Sequence, residues 1–220
     1  MPKKTTLFLV TVALLILLPA AGLAAVEITP RLSTGAEYTD NVTLSPDNEE
    51  SDIIGTITPG ISIDITGRPA GLTLSYDPSF VTYVDGSYED YWQHVANGSA
   101  WWQAGRYTRL SVSDNYRRSE DPISEDDLTL RRQRNPYTRN SATARADHRF
   151  GDDNRLYLTG LYTYLENEDP SIEDSDRFGG SAGVSYWFNV RWGVDIDVSG
   201  YRGEYDVSDD FTDLEGSLRL

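Results

Sequence analysis

Apolar and polar residues alternate along most of this chain, most clearly between Phe178 and Tyr201. Every second residue from Phe178 to Phe188 is apolar or small. The alternation resumes at Trp192 after the short connection Asn189-Val190-Arg191. Side chains of a β-strand point alternately to the two faces of its sheet. The pattern therefore predicts a β-hairpin with one apolar and one polar face.

The length of these strands and the position of their aromatic residues favour a sheet that crosses a membrane. Each predicted strand has about ten residues or more, which is what a tilted strand needs to cross a bilayer. A soluble sandwich would also alternate, but aromatic residues near the strand ends are typical of the membrane interface. These residues are Phe178, Tyr186, Phe188, Trp192 and Tyr201.

The same alternation predicts ten strands in the whole chain. We expect Pro30 near the end of its strand or at a rim, because proline cannot donate a hydrogen bond to a neighbouring strand. The predicted strands are Glu27–Tyr38, Ile53–Thr66, Leu72–Val84, Tyr91–Gln103, Arg109–Arg117, Tyr137–Phe150, Arg155–Tyr164, Phe178–Asn189, Trp192–Tyr201 and Phe211–Leu220.

The connections alternate between short and long. Those after strands two, four, six and eight are tight, and the others are longer, more acidic or both; residues 119–135 form the longest. Bacterial outer-membrane barrels have short periplasmic turns and longer extracellular loops. The fold class predicted is therefore all-β, an antiparallel up-and-down transmembrane β-barrel with both termini in the periplasm.

The N-terminus has the pattern of a secretory signal peptide. Lys3 and Lys4 precede an apolar run from Leu7 to Leu18, and small residues follow it up to Ala25. The apolar run is shorter than the roughly 20 residues of a spanning helix. We predict a cleaved signal peptide over residues 1–25, a barrel over residues 26–220 and export to the outer membrane of a Gram-negative cell envelope.

The composition excludes several classes of function. Without residues 1–25 the chain has 17 basic residues, all arginine, and 35 acidic residues, so its charge is about −18. Such an acidic protein does not suit nucleic acid as a partner. The chain has no cysteine, which excludes disulfides and thiolate metal sites. We expect no cofactor, and we expect the partners to be outer-membrane lipid and lipopolysaccharide.

Four short stretches in the first 90 residues resemble a known family. They are Ile28-Thr29-Pro30-Arg31-Leu32, Tyr38-Thr39-Asp40-Asn41-Val42, Ile57-Thr58-Pro59-Gly60-Ile61 and Leu74-Ser75-Tyr76-Asp77-Pro78. Together they resemble the start of outer-membrane β-barrel porins that accompany exopolysaccharide and exosortase (PEP-CTERM) systems. The resemblance implies an outer-membrane location and a part in exporting an extracellular polymer, with export components as partners.

The chain departs from that family in length, because its members are usually considerably longer. It also ends in Leu218-Arg219-Leu220 without a terminal aromatic residue. Strand ten offers few large apolar residues, and Pro30 weakens strand one as its partner. We therefore expect these two strands to close poorly on each other and the chain to be part of a larger barrel.

The polar face collects charged residues that are candidates for lining a lumen. They would bias the selectivity of an aqueous channel, or they would pair with one another and plug a narrow lumen, as in small barrels. The candidates are Arg31, Asp64, Asp77, Arg109, Arg139, Arg145, Asp147, Arg155, Asp195 and Asp197.

No motif in the sequence supports catalysis, so a non-enzymatic barrel is expected. His94 and His148, the only histidines, fall with the apolar residues of their strands, and Asp195 and Asp197 suit a structural role on a lumen wall. The acidic loops lack the spacing of a calcium loop. The alternatives are an enzyme embedded in a barrel and a structural or adhesive barrel at the cell surface. The sequence does not indicate an oligomeric state.

Overall fold

The computed structural model of the protein describes residues 25–44, 47–121 and 134–220. Within these ranges the chain forms ten β-strands and no helix. They are β1 (Ala25–Thr39), β2 (Asp52–Thr66), β3 (Ala70–Tyr83), β4 (Tyr91–Gln103), β5 (Thr108–Ser119), β6 (Tyr137–Phe150), β7 (Asn154–Asn167), β8 (Ser175–Asn189), β9 (Trp192–Tyr205) and β10 (Phe211–Arg219). Nearly all of the predicted signal peptide, and most of the loop over residues 119–135, lie outside the described residues.

All ten strands form one antiparallel sheet in which each strand pairs with its neighbours in sequence. The predicted up-and-down order is therefore confirmed. Among the described residues, β1 pairs only with β2 and β10 only with β9, so the sheet is open. A helix long and apolar enough to span a membrane is not found in the part of the chain that the structure describes.

The short turns all lie at one end of the sheet, and side chains fix several of them. Gln103 donates its side-chain amide to the carbonyl oxygens of Gly105 and Thr108, at 2.8 and 3.0 Å, across the turn between β4 and β5. Asn189 accepts hydrogen bonds from the backbone N–H groups of Arg191 and Trp192 in the turn between β8 and β9. The connections at the other end are longer, as predicted.

The observed strands differ from the predicted ones mainly at the end with the long loops. The polar residues of β7 and β8 that lie next to the acidic loop belong to strands, because the ladder pairs Leu165 with Ser175. Their polar composition predicts a loop, whereas backbone pairing does not depend on side-chain polarity.

Pro30 was predicted near a strand end or rim, but it lies in the interior of β1, opposite Ile61. An edge strand tolerates it there because one side of its backbone needs no partner.

The loop between β1 and β2 folds over the polar face of the sheet. Val42 is fully buried and packs against Val81, Tyr83 and Tyr91. Arg134, just before β6, donates from Nε to the carbonyl oxygen of Val42 at 3.3 Å. This cluster covers the polar face at the end with the long loops.

Candidate functional site

The ten predicted lumen residues all lie on one face of the sheet. Residues paired across an antiparallel ladder share a face, and the face alternates along each strand. Applied to the registers of all nine strand pairs, this rule places every one of the ten on the face that we call the polar face. The opposite surface, with most of the exposed aliphatic and aromatic residues, is the apolar face.

Charge is segregated on the polar face. The polar face of β5 to β8 has seven arginines and a single carboxylate, Asp147. The polar faces of β1 to β3 and of β9 and β10 are mainly acidic. The arginines are Arg109, Arg117, Arg139, Arg145, Arg149, Arg155 and Arg177. The flanking acids are Glu27, Glu37, Asp52, Asp64, Asp77, Asp195, Asp197, Asp213 and Glu215.

On the acidic side, Arg31 of β1 reaches across β2 to Asp77 of β3. Its Nη2 lies 2.7 and 2.9 Å from the two carboxylate oxygens of Asp77. The pair passes over Gly60, where an added Cβ would collide with the Asp77 carboxylate. Asp64 accepts a hydrogen bond from the hydroxyl of Thr73 at 2.7 Å. Both predicted acids on this side are thus engaged in cross-strand contacts.

A second chain of contacts joins the arginine-rich strands to β9. The guanidinium of Arg145 binds the carboxylate of Asp147 at 2.8 to 3.0 Å and lies 4.4 Å from the ring centre of Tyr157. The hydroxyl of Tyr157 donates to Asp197 at 2.5 Å, crossing β8 at Gly183. Asp197 therefore has a partner in the fold, and its assignment to a lumen wall stays a prediction.

The remaining candidates each lie beside an identified neighbour on an adjacent strand. Arg109 stacks on Trp101, with its guanidinium carbon 4.7 Å from the ring centre. Arg155 lies directly opposite Arg149 in the ladder between β6 and β7. Arg139 lies opposite Arg117 on its other neighbour, β5. Asp195 lies opposite Ser185 on β8.

A cavity of about 330 Å³ lies over the polar face of β4 to β6, and most of its lining is apolar. Ser99, Ser111, Ser113 and Thr143 line it together with Trp101, Arg109 and Arg145. Its hydroxyl and guanidinium groups can each donate hydrogen bonds to a polar or anionic solute.

The apolar face exposes large hydrophobic side chains along the whole sheet. Ile28 is 60% exposed, Leu158 62% and Val198 53%. A continuous apolar surface of this extent is unusual for a soluble monomer and indicates contact with lipid or with another protein. Further exposed residues on this face are Leu32, Ile53, Ile57, Ile61, Leu156, Ile196, Leu214 and Leu218.

Two belts of aromatic rings border this apolar surface. On the side of the short turns, the rings of His148, Phe150, Tyr186 and Phe188 follow one another with centroid separations of 6.5, 6.4 and 5.2 Å. The other belt contains Tyr76, Phe80, Trp92, Tyr116, Tyr162, Tyr164 and Phe178. The belts lie about ten residues apart, which for tilted strands is about 25 Å, the height of the apolar band of an outer-membrane barrel.

Both histidines belong to the apolar face, as predicted. His94 stacks on Tyr76, and its Nδ1 lies 2.8 Å from the tyrosine hydroxyl. His148 lies 2.8 Å from the hydroxyl of Thr108 and stacks on Phe150. Each histidine thus belongs to an aromatic belt.

Sequence reasoning missed one polar pair on the apolar face. Asp114 of β5 lies on this face between Gly98 and Ala142. Its carboxylate accepts a hydrogen bond from Asn140 at 2.8 Å, and both residues are only 3% exposed. The period-two rule places Asp114 on this face, but the identity of its partner depends on the register between β5 and β6.

The acidic loops are held by hydrogen bonds. Glu173 accepts hydrogen bonds from the N–H groups of Val207 and Ser208 and from the Ser208 hydroxyl. These bonds lower the pKa of Glu173, and the bond from the Ser208 N–H has the largest effect. Asp174 accepts the N–H of Asn167 at 2.7 Å. Among the described residues, no group of three or more histidines, aspartates or glutamates is placed to hold a metal ion.

Comparison with known protein families shows which family the chain belongs to. The family model described as Putative beta-barrel porin 2 matches residues 27–152, more than half of the chain. The chain belongs to this β-barrel porin family. No curated protein and no solved structure matches it.

Membership in the porin family fits the ten-stranded sheet and confirms that the first 90 residues resemble β-barrel porins. The matched segment runs from β1 through β6. The strands β7 to β10 continue the same antiparallel ladder with the same two faces. The chain is therefore a porin-like β-barrel protein with a polar face that extends beyond the matched segment.

Proposed function

We propose that the protein is an integral outer-membrane barrel whose polar face lines an aqueous path. The observation that supports this most directly is the pair of unlike faces. One face exposes aliphatic residues between two aromatic belts, which suits lipid, and the other carries hydroxyls, acids and arginines, which suit water. In this orientation the short turns face the periplasm, where a cleaved signal peptide would deliver the chain.

The proposed path serves polar solutes or an extracellular polymer such as an exopolysaccharide. The charged and hydroxyl side chains of β4 to β7 can exchange hydrogen bonds with a hydrated solute. The proposal includes no catalytic step, because both histidines belong to the aromatic belts and Asp197 binds Tyr157. Lipid and lipopolysaccharide surround the barrel, and polymer-export components are its functional partners.

A second function, a closed structural or adhesive barrel, is favoured by the loop between β1 and β2. Its residue Val42 is buried over the polar face and is held by Arg134. Arg134 belongs to the loop between β5 and β6 and pairs with Asp121 of that same loop at 2.8 Å, so its bond to Val42 ties the two loops together at this end. A barrel obstructed in this way would display its loops at the surface without conducting ions.

Conductance of the refolded protein in a planar lipid bilayer distinguishes these two functions. The proposed path predicts stepwise currents when the protein inserts. The Arg134→Gln variant, which loses the tie between the loops, should conduct at least as well. A protein that inserts into bilayers and stays silent, both intact and as this variant, would contradict the aqueous path.

A further inference from the structure

Four arginines converge at the short-turn end of β5 to β7. Arg106 precedes β5, Arg109 lies near its start, Arg149 lies near the end of β6 and Arg155 near the start of β7. They line a cavity of about 390 Å³, together with Gln103 and one carboxylate, Asp147. We refer to these four residues as the arginine cluster. A cavity of this volume suits a small molecule.

The arginine cluster is held by contacts that leave its guanidinium groups available. Gln103 closes the turn that carries Arg106, and the N–H of Arg149 donates to the carbonyl oxygen of Tyr107 at 2.9 Å. The guanidinium carbon of Arg109 lies 4.7 Å from the ring centre of Trp101, and a guanidinium that packs on an aromatic ring keeps its N–H donors for other partners. None of these contacts is a salt bridge.

Two charges of the cluster, those of Arg149 and Arg155, lack protein counter-ions among the described residues. Arg149 and Arg155 lie directly opposite each other on adjacent strands, an arrangement that is destabilising for like charges. Asp147 lies opposite Arg109 in the ladder and also lines the cavity, but its carboxylate binds Arg145. Among the described residues, neither Arg149 nor Arg155 forms a salt bridge. The chain as a whole has a net charge of −16, so two adjacent arginines without a salt bridge stand out against its acidic composition.

We propose that the arginine cluster binds an oxyanion, namely a small solute with two or more carboxylate or phosphate groups. Guanidinium groups bind both of these groups through paired N–H donors. The cavity over β4 to β6 lies next to the cluster on the polar face and shares Arg109 with it. The proposal deepens the proposed function, on which it rests, because it places an anion-selective step at the periplasmic mouth of the path.

Chemical labelling of arginines tests the binding site without requiring conductance. The protein, folded in detergent, is treated with phenylglyoxal, and the modified arginines are identified by peptide mass spectrometry. Citrate and pyrophosphate, tested separately, represent carboxylate and phosphate ligands. We expect at least one of them to reduce labelling of Arg149 and Arg155 severalfold and to leave Arg68 and Arg191, in other short turns, unchanged. Equal labelling with and without both anions would overturn the proposal.

Ion selectivity tests the same site within the pore. The reversal potential in a salt gradient should indicate a preference for anions, and the R149Q/R155Q double variant should lose much of it. The R68Q/R191Q variant removes the same charge at the same end of the sheet outside the cluster and should keep the preference. Protection from labelling in a protein that does not conduct would retain the site and reject the path. Conduction with no protection and no effect of R149Q/R155Q would retain the path and reject the site.

Discussion

Arg31 and Asp77 form a salt bridge across an intervening strand, with Gly60 directly beneath the contact. Tyr157 and Asp197 repeat this arrangement across β8 at Gly183. In both places a glycine in the middle strand leaves room for two longer side chains to meet. These contacts join strands that share no backbone hydrogen bonds, and they fix the spacing of charges on the polar face.

Substituting Gly60 by alanine should break the bridge between Arg31 and Asp77. The new Cβ would displace the Asp77 carboxylate, and both partners are partly exposed, so the free energy of unfolding should fall by about 1 kcal/mol or less. In the Arg31→Gln background the same substitution should cost less. Urea unfolding in lipid vesicles measures both values.

Gly35→Ala is the matched control for this experiment. Gly35 also lies on the polar face, but a Cβ there meets no atom within 4 Å. Equal costs of Gly60→Ala with and without Arg31 would show that the bridge is not the cause.

The two faces should respond differently to an added charge. Val198→Arg places a cation on the apolar face and should cost about 2–4 kcal/mol near the bilayer midplane. Ser199→Arg, one residue further, places it on the polar face opposite Glu215 and should cost far less. Folding yield and urea stability in vesicles measure both costs. Equal penalties would refute the assignment of the faces.

The alternation of the sequence was sufficient to predict the strand order, the short turns and the two faces. The bounds of β4 and β6 agree with the prediction because clear turn residues flank both strands. Contacts that depend on register across three strands, such as Arg31 with Asp77, could not be predicted, because alternation gives the face of a residue but not its neighbours. The arginine cluster was missed for the same reason: only the ladder places Arg149 opposite Arg155.

The contact between Glu173 and the loop over residues 206–210 should depend on pH. Hydrogen bonds from Ser208, and a weaker contribution from Val207, hold the pKa of Glu173 below its usual value of 4.5. A lowered pKa means that the stabilisation is complete above pH 4.5 and is lost as the pH falls through the lower pKa of the folded protein. Hydrogen exchange at the amides of Val207 and Ser208 should therefore lose protection in acid.

Glu173→Gln is the control, because its side chain keeps an acceptor oxygen and does not titrate. Its protection at Val207 and Ser208 should be weaker at neutral pH and should change little in acid. A loss of protection in acid that is identical in both proteins would assign the effect to another group.

Single cysteines test which end of the barrel faces the cell exterior. The chain has no cysteine, and Val190 and Val207 are 96% and 87% exposed at opposite ends of the sheet. The Val207→Cys variant should react with an impermeant maleimide on intact cells, whereas Val190→Cys should react only after the outer membrane is permeabilised. The reverse result would invert the orientation.

Neighbouring tryptophans offer the most direct test of the central claim, that one face of the sheet contacts lipid and the other contacts water. Trp101 lies on the polar face beneath Arg109, and Trp102 lies on the apolar face opposite Leu110. Two variants, each retaining one of these tryptophans and carrying phenylalanine in place of the other four, are folded into vesicles of brominated phosphatidylcholine. Bromine quenches a fluorophore that touches the acyl chains. The account predicts strong quenching of Trp102 and little quenching of Trp101, whereas equal quenching of the two, or stronger quenching of Trp101, would contradict it.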